Sequence, residues 1–265
     1  MALVSEVAAA QDGAVAPALA PPVLELRDVV VAYGALRAID GVSLAMRPGQ
    51  VLGVCGDNGA GKSSLMKVVA GAQPPSAGEV LVDGRPVRFA GPRDALARGI
   101  AAIYQDLALA PRLTIAENVF MGAELVRGGP LGLLDRPGMR ARAAGYLARL
   151  GIDMPGPDAR VAELSGGQRQ AVAIARALRW SARLVVMDEP TAALGVRETG
   201  RVLALIRNLA ASGVAVVLVC HNMDHVLEVA SDVLVLKQGR SVAARPAAGL
   251  GARDLSRMIL TGEAA

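Results

Sequence analysis

Apolar and polar residues alternate with a period of two through the first part of the chain, a pattern that predicts β-strands. The alternation covers Val23–Tyr33 and Ala38–Met46, and a short turn then leads to the uninterrupted apolar run Val51–Cys55. A glycine-rich loop follows this run directly, and Lys62–Ala70 has the pattern of a helix. We therefore expect two half-buried strands, a buried strand, a glycine loop and a helix, in this order.

The pattern becomes mainly helical after residue 104. Before that point, alternation over Gly78–Gly91 predicts a short hairpin, and Ile100–Tyr104 is an apolar run typical of a strand. No clear strand follows within residues 106–164, where helical periodicity occurs around Ile115–Phe120 and Pro137–Leu150. We expect these residues to form a helical subdomain that is inserted into the main fold.

Strands and helices alternate through the rest of the chain. Short apolar strands are predicted at Leu184–Met187, Val214–Val219 and Val233–Leu236. The helices are predicted at Ser165–Leu178, Arg197–Ala211, from Met223 onward and at Ala252–Leu260. A chain that alternates in this way forms a mainly parallel sheet with helices on both faces. The predicted fold class is therefore α/β, in one domain over residues 23–265.

Composition excludes some classes of protein. The mean hydropathy is +0.41, but no stretch reaches the roughly 18 to 20 uncharged apolar residues that span a bilayer, so a soluble or peripheral protein is expected. The net charge of +4 is compatible with polyanion binding, yet the arginines are scattered and aromatic residues make up only 2%. Few side chains are available to stack on bases, and nucleic acid is not expected as a partner.

The first residues and the two cysteines bear on the cellular compartment. Residues 1–22 are rich in Ala and Pro and contain Glu6 and Asp12, so they lack the basic start and unbroken apolar stretch of a secretory signal. They are expected to form a flexible tail. Cys55 and Cys220 lie in apolar runs, which favours reduced thiols in the core over a disulfide or a metal site. A cytosolic, reducing compartment fits these features.

The glycine-rich loop carries a strong chemical signal. Gly56–Ser63 reads GDNGAGKS and matches G-x-x-x-x-G-K-[ST] between an apolar strand and a helix, the context of a phosphate-binding loop. Its glycines let backbone N–H groups approach phosphates, and the helix N-terminus adds a favourable dipole. Lys62 would neutralise the β- and γ-phosphates and Ser63 would ligate Mg²⁺, whereas an ordinary glycine turn with a helix cap is the alternative. The nucleotide-binding residues predicted here are Gly56, Asn58, Gly59, Ala60, Gly61, Lys62, Ser63 and Ser64.

Two adjacent acids end the predicted strand in the segment LVVMDEP, Leu184–Pro190. Two carboxylates at the end of a buried strand are costly unless a cation or a reacting water occupies the site. Asp188 would hold Mg²⁺, and Glu189 would polarise the attacking water as the general base. A solvated strand end that Pro190 terminates is the alternative, but it does not explain the order and distance relative to the phosphate loop.

The segment LSGGQRQ, Leu164–Gln170, lies just before the acidic strand. Ser165 would cap a helix there, and a serine-capped helix behind glycines is also a phosphate site. With the other two motifs, this segment resembles the ABC ATPase family over nearly all of Val23–Thr261. The resemblance implies a P-loop NTPase core with an N-terminal antiparallel β subdomain, and a dimer in which each signature segment faces the γ-phosphate of ATP on the partner cassette. The residues implied in that contact are Ser165, Gly166, Gly167 and Gln168.

Three single residues complete the site by resemblance. Tyr33 matches the family's aromatic residue that stacks on adenine, Gln105 matches the loop glutamine that senses Mg²⁺ and the attacking water, and His221 matches the switch histidine at the γ-phosphate. His225 follows four residues later, but a zinc site is not expected without the Glu of H-E-x-x-H and a third ligand. The resemblance thus implies catalytic roles for Lys62, Gln105, Glu189 and His221, and Mg²⁺ ligands at Ser63, Gln105 and Asp188.

One position departs from the family pattern. After the two acids the family often shows Ser-Ala-Leu-Asp, whose Asp contacts the opposite cassette, whereas this chain has Gly195 at that place. The segments DEPTAALGV, YQDLALAPRLTIAENVFMG and HNMDHVLEVASDVLVL resemble the carbohydrate-importer branch, and more loosely its single-cassette members for simple sugars. AALG is not unusual in that branch, so Gly195 is not interpreted as inactivating.

The resemblance implies an ATPase, with ATP and Mg²⁺, that drives a membrane importer for a sugar or a related carbohydrate. Its expected partners are a second cassette in a homodimer, permease subunits that dock near Gln105–Phe120 and, indirectly, a periplasmic or extracellular solute-binding protein. Its expected place is the cytoplasmic face of the inner membrane, as a peripheral subunit. Three alternatives stay open: an importer of another small solute such as an amino acid, a soluble non-transport ABC-type ATPase, and a module that senses ATP without turnover.

Overall fold

The computed structural model of the protein describes residues 21–128 and 132–264. Residues 1–20 of the predicted tail lie outside the described residues. Within the described part, no helix combines the length and the apolarity that a bilayer crossing requires.

A four-stranded antiparallel sheet contains the first two predicted strands. Its members are β1 (Leu24–Tyr33), β2 (Leu36–Met46), β4 (Ala77–Val82) and β5 (Arg85–Val87), in the order β2-β1-β4-β5. Leu24, Leu26, Val29 and Val31 of β1 are buried, because alternate side chains of the strand point into the core. The predicted antiparallel subdomain is confirmed, and it also takes in the predicted hairpin at residues 78–91.

A six-stranded sheet forms the centre of the fold. Its strands are β3 (Val51–Cys55), β6 (Ile100–Ile103), β9 (Leu184–Asp188), β10 (Ala215–Val219), β11 (Asp232–Lys237) and β12 (Arg240–Pro246), in the order β12-β11-β3-β10-β9-β6. All neighbours pair in parallel except β11 and β12. The inner strands are continuous apolar runs because helices or the other sheet cover both faces. This confirms the predicted α/β class.

The strand β12 was not predicted from the sequence. It follows β11 through Gln238 and Gly239, whose φ angles are both positive at 49° and 80°. Two consecutive residues with positive φ make the turn that suits a two-residue hairpin. The dipeptide Gln-Gly after an apolar strand was the signal that could have revealed it.

Helices cover the central sheet and build the inserted segment. They are α1 (Lys62–Val69), α2 (Pro92–Ala97), α3 (Ile115–Phe120), α4 (Arg136–Ala148), α5 (Gly166–Arg179), α6 (Val196–Ala211), α7 (Met223–Val229) and α8 (Ala252–Thr261). The expectation of no strand within residues 106–164 was wrong, because β7 (Val126–Arg127) and β8 (Leu133–Leu134) pair as a small antiparallel hairpin. Two residues per strand are too few to show the alternation by which strands are recognised.

The helices of the insert pack against the long helix α5. Phe120, Leu147 and Ile174 are buried in one hydrophobic cluster that continues onto a face of the central sheet. Asn118 is fully buried, but its side chain donates to the carbonyl of Ala110 at 3.0 Å and accepts from the Ala110 N–H at 2.7 Å. These bonds satisfy a polar group inside the cluster, where an unpaired one would be costly.

The carboxyl ends of the parallel strands place several loops together. Val219 of β10 pairs with Val54 of β3 on one side and with Asp188 of β9 on the other. The residues that follow these strands therefore meet at one edge of the sheet, where open α/β folds bind their ligands. The glycine loop, Glu189 and His221 all begin at this edge.

Candidate functional site

The glycine loop connects β3 to α1 with a backbone that needs small residues. Gly59 and Gly61 have φ angles of 80° and 108°, in the region that favours glycine. A Cβ on Gly61 would lie 2.4 Å from the carbonyl oxygen of Ala38. The turn between β11 and β12 is hydrogen-bonded to the loop, since the N–H of Gly239 donates to the Ala60 carbonyl at 3.0 Å. The loop is therefore held tightly at its base.

The first turn of α1 presents free backbone donors to the cleft. Its N-cap is Gly61, no side chain caps it, and no acidic residue lies in its first turn. Unpaired N–H groups and the positive end of the helix dipole suit a phosphate. Lys62 lies at the same place, 7% exposed, and its Nζ donates to the carbonyls of Gly56 at 2.6 Å and Asp57 at 2.8 Å. Burial lowers the pKa of Lys62, against the opposing effect of nearby acids such as Glu189.

The acidic pair at the end of β9 lies opposite the glycine loop. Glu189 has a φ of 48° and precedes Pro190, so its backbone is in a conformation that non-glycine residues rarely adopt. The Glu189 N–H donates to the Val219 carbonyl at 2.8 Å, which holds the turn against β10. Glu189 Oε1 lies 2.8 Å from His221 Nε2, a distance at which an imidazole N–H donates to a carboxylate. The strained turn thus points this carboxylate at the histidine.

The ionised form of Asp188 is disfavoured by its surroundings. Burial, and then the negative charge of Glu189, raise the pKa of Asp188, while His221 and Lys62 lower it less strongly. No hydrogen bond or ion pair of the described residues involves its carboxylate. A bound cation would stabilise the ionised form, so the donor chemistry fits a divalent ion with oxygen ligands.

A cleft of about 500 Å³ brings most of the predicted residues together. Leu36, Ala38 and Val219 also form its wall and were not predicted, because apolar residues in strands carry no chemical signal. Tyr33 lies at the rim, 46% exposed, and its hydroxyl donates to Oε1 of Gln73. The predicted residues that line the cleft are Tyr33, Asn58, Gly59, Gly61, Lys62, Ser63, Ser64, Gln105, Asp188, Glu189 and His221.

The remaining predicted residues lie outside the walls of this cleft. Gly56 and Ala60 form the base of the loop, where a Cβ on Gly56 would lie 2.5 Å from the carbonyl oxygen of Leu236. The signature residues 165–168 are at the start of α5, where Ser165 is the N-cap as predicted. Ser165 and Gln168 form a capping box: the Gln168 N–H donates to Ser165 Oγ and the Ser165 N–H donates to Gln168 Oε1.

The comparison with known proteins decides the family. Residues 39–192 match the family model described as ABC transporter. The chain belongs to the ABC transporter family. The fructose import ATP-binding protein FrcA of Rhizobium meliloti is similar to this cassette, with 45% identity over 83% of this chain and 86% of that protein. The ribose import ATP-binding protein RbsA 2 of Escherichia coli O157:H7 is 44% identical over 90% of this chain and 46% of that protein, so this chain spans about half the length of that relative.

Solved ABC cassettes have the same fold. An ATP-binding cassette of an ABC transporter in its ADP conformation superimposes with a TM-score of 0.76 and 26% identity, over 91% of this chain and 95% of that chain. A dimeric post-hydrolysis cassette bound to ADP and Pi has a TM-score of 0.68 and 26% identity, over 86% of this chain and 100% of that chain. This protein is thus an ATP-binding cassette with a P-loop fold.

The second histidine and the cysteines of this ABC cassette lie in structural contacts. Nδ1 of His225 lies 3.2 Å from the hydroxyl of Thr191, which is also 3.6 Å from Sγ of Cys220. Among the residues described, no group of three or more His, Cys, Asp or Glu side chains is placed to hold a metal ion. Cys55 and Cys220 are free and buried, as expected, and burial raises the pKa of Cys55 to about 12.

Replacing the unpaired acid is expected to stabilise the ligand-free ABC cassette. We expect Asp188→Asn to raise the free energy of unfolding by on the order of 1 kcal/mol near neutral pH, or the Tm by about 2 °C, because the charge beside Glu189 disappears. The raised pKa sets the sign of the pH dependence: ionisation of Asp188 costs less in the unfolded chain, so the advantage of Asn shrinks as the pH falls through the raised pKa and is lost once the pH is below the ordinary pKa of an Asp.

Thermal melting without nucleotide or divalent cation, at neutral pH and near pH 4, measures this effect. The exposed Asp153 provides the control variant Asp153→Asn, which should leave the Tm unchanged. A lower Tm for Asp188→Asn at neutral pH would contradict the electrostatic account.

Proposed function

We propose that this protein is the ATP-hydrolysing subunit of a membrane importer for a sugar or a related carbohydrate. The observation that carries the proposal is the single cleft that holds a phosphate-binding loop, a buried lysine, two carboxylates and a histidine. The names of the fructose and ribose relatives support sugar as the cargo. No residue in the cleft is expected to contact the transported solute, so the cargo rests on these relatives alone.

The nucleotide-binding roles follow from the donors in the cleft. Backbone N–H groups of the loop and of the start of α1 bind the phosphates, and Lys62 exchanges its two carbonyl partners for the β- and γ-phosphate oxygens. Tyr33, exposed at the rim, stacks on the adenine. Ser63, Gln105 and Asp188 are the oxygen-bearing side chains that would hold Mg²⁺, which supplies charge neutralisation at the phosphates.

Glu189 and His221 perform the proton transfer and the positioning. The Glu189 carboxylate takes a proton from the attacking water, and the strained turn before Pro190 fixes its direction. The imidazole of His221, 2.8 Å away, holds the carboxylate on the side of the phosphates. Because both groups are attached to adjacent strands, small shifts of β9 or β10 change their alignment.

A second cassette completes the site in this proposal. Residues 165–168 of one protomer lie outside the walls of its own nucleotide cleft. Solved dimeric cassettes with this fold support a dimer, and we propose that each signature helix of this dimer faces the nucleotide bound by the partner. One cassette alone is then expected to hydrolyse ATP slowly, and the rate per protomer should rise with protein concentration.

An exposed groove supports docking of a permease. The groove of about 210 Å³ is lined by Tyr104, Met121 and Trp180, which are 44%, 37% and 40% exposed. It lies next to Gln105, so a helix bound there would touch the segment that also reaches the nucleotide cleft. We propose that cytoplasmic loops of the permease bind this groove and hold the cassette at the cytoplasmic face of the inner membrane.

A charge in the groove is expected to release the cassette from the membrane. Met121→Asp places a carboxylate on an apolar contact and should lower the yield of co-purified membrane subunits at least about tenfold. The ATPase rate of the isolated variant should match that of the unmodified protein. Leu260→Asp, at an exposed leucine of α8, is the matched control and should keep the membrane subunits bound. Retention of the subunits by Met121→Asp would exclude this groove as the docking surface.

Purification of the tagged protein from detergent-solubilised membranes tests the function as a whole. The expected result is Mg²⁺-dependent ATP hydrolysis together with a permease and a solute-binding protein that binds sugars in a screen. Binding of amino acids in that screen would replace the sugar cargo. Co-purification with ribosomes or nucleic acid in place of membrane subunits would contradict transport.

A further inference from the structure

A carboxylate from α6 lies against the start of the signature helix α5. Oε1 of Glu198 accepts a hydrogen bond of 3.0 Å from the N–H of Gly166, 32 positions earlier in the chain. Glu198 is also in the first turn of its own helix. The side chain therefore lies near the N-terminal ends of two helices, where backbone N–H groups need acceptors.

The backbone donors at the start of α5 are almost fully occupied. The Ser165 N–H donates to Gln168 Oε1 at 3.0 Å, and the Gln168 N–H donates to Ser165 Oγ at 3.4 Å. The Gly166 N–H donates to Glu198. The Gly167 N–H, in contrast, has no hydrogen-bond acceptor among the described residues. The chain's own groups thus orient the turn and leave one amide available to a ligand.

The contact between Glu198 and Gly166 is also closely packed, so it requires glycine at position 166. A Cβ on Gly166 would lie 2.4 Å from Cδ2 of Leu194 and 3.3 Å from Oε2 of Glu198. Gly195, between these two, contributes no side chain and leaves α6 without a side-chain cap. The segment Leu194–Glu198 therefore presses on the start of α5 with Leu194 as the apolar contact and Glu198 as the polar one.

A short stretch of chain connects this segment to Glu189, the proposed general base. Glu189 and Ala193 have positive φ angles of 48° and 57°, so the chain from Glu189 to Gly195 follows a tightly constrained path. Glu198 then joins this path to Gly166 by a hydrogen bond. Within one protomer, the position of the general base and the orientation of the signature turn are linked through Glu198.

We propose that Glu198 is a positioning residue that holds the start of α5 in the orientation needed to bind ATP on the partner cassette. The inference rests on the proposed function. Glu198 touches no nucleotide and acts through the Gly166 N–H, so the acceptor oxygen matters more than the charge. Glutamine keeps this oxygen at the same distance, whereas alanine removes it.

Matched substitutions in the full-length protein test the role. Glu198→Ala should raise the ATP concentration for half-maximal hydrolysis about tenfold and weaken ATP-driven dimerisation by a similar factor, because one orienting hydrogen bond is lost. Binding of a fluorescent ADP analogue to the dilute monomer, which uses the glycine loop, should not change. Glu198→Gln should restore both properties. Arg197→Ala, at the adjacent exposed position, is the control and should behave like the unmodified protein.

Three outcomes would overturn the inference. Unchanged dimerisation and hydrolysis in Glu198→Ala would show that Glu198 has no positioning role. Equal defects in the Ala and Gln variants would show that the acceptor oxygen is not what matters. Weakened ADP binding in the monomer would indicate a general structural defect. If the unmodified protein neither dimerises with ATP nor hydrolyses it, the proposed function itself fails, and that result differs from a defect confined to Glu198 variants.

Discussion

Glu189→Gln is expected to lower the kcat of ATP hydrolysis by about 10²- to 10⁴-fold and to leave ATP affinity nearly unchanged. Glutamine has the size of glutamate and can still accept a hydrogen bond from His221, which lies 2.8 Å away in the native pair. It cannot take a proton from water at neutral pH. The geometry therefore survives while the general base is lost, and the ATP-bound state should accumulate.

Steady-state hydrolysis and calorimetric titration with MgATP under the same conditions measure the two quantities. Glu79→Gln, at an exposed strand position outside the cleft, controls for the amide substitution itself and should keep the native kcat. Hydrolysis by Glu189→Gln at the native rate would show that Glu189 is not the general base. An equal loss of affinity and kcat would show a binding role instead.

Lys62→Ala is expected to weaken ATP binding by about 30- to 150-fold, which corresponds to about 2 to 3 kcal/mol. The ammonium group is buried at the start of α1, where it is well placed to bind phosphate oxygens with little further loss of side-chain entropy. The substitution also leaves the carbonyls of Gly56 and Asp57 without their donor, so a small decrease in Tm is expected.

Lys67→Ala provides a matched control on the same helix. Lys67 is exposed in the last turn of α1, so its loss removes the same charge without touching the cleft. Its affinity for ATP, measured by titration, should equal that of the unmodified protein. Native affinity in Lys62→Ala would exclude the proposed phosphate contact, and equal weakening in both variants would mean that long-range charge, not position, controls binding.

Local sequence patterns predicted most of the fold because their signals are strong over short distances. The apolar run Val51–Cys55, the glycine loop and the helix after it need only neighbouring residues to be recognised. The strand β12 and the short hairpin of β7 and β8 were missed, since one is mostly exposed and the other has two residues per strand. Their pairing depends on partners that supply the missing hydrogen bonds.

The predicted site residues came from motifs, but their common location depends on the strand order. Tyr33 ends β1 of the antiparallel sheet, whereas Gln105 and His221 follow β6 and β10 of the central sheet. The cleft that holds all three therefore depends on the strand order β10-β9-β6 and on how the two sheets pack together. The role of Glu198 had no sequence signal. A glutamate in the first turn of a helix is common, and only packing shows that it binds the amide of another helix.

The sequence by itself determined the family, the alternating α/β architecture and the candidate residues in the glycine loop and the acidic strand, because these depend on residues close together in the chain. The tertiary structure alone decided that Asp188 is a partly buried acid beside Glu189, that Glu189 faces His221 and that Glu198 holds Gly166. Burial, charge proximity and hydrogen bonding between distant segments are set by the packing of strands and helices, and a linear pattern does not contain them.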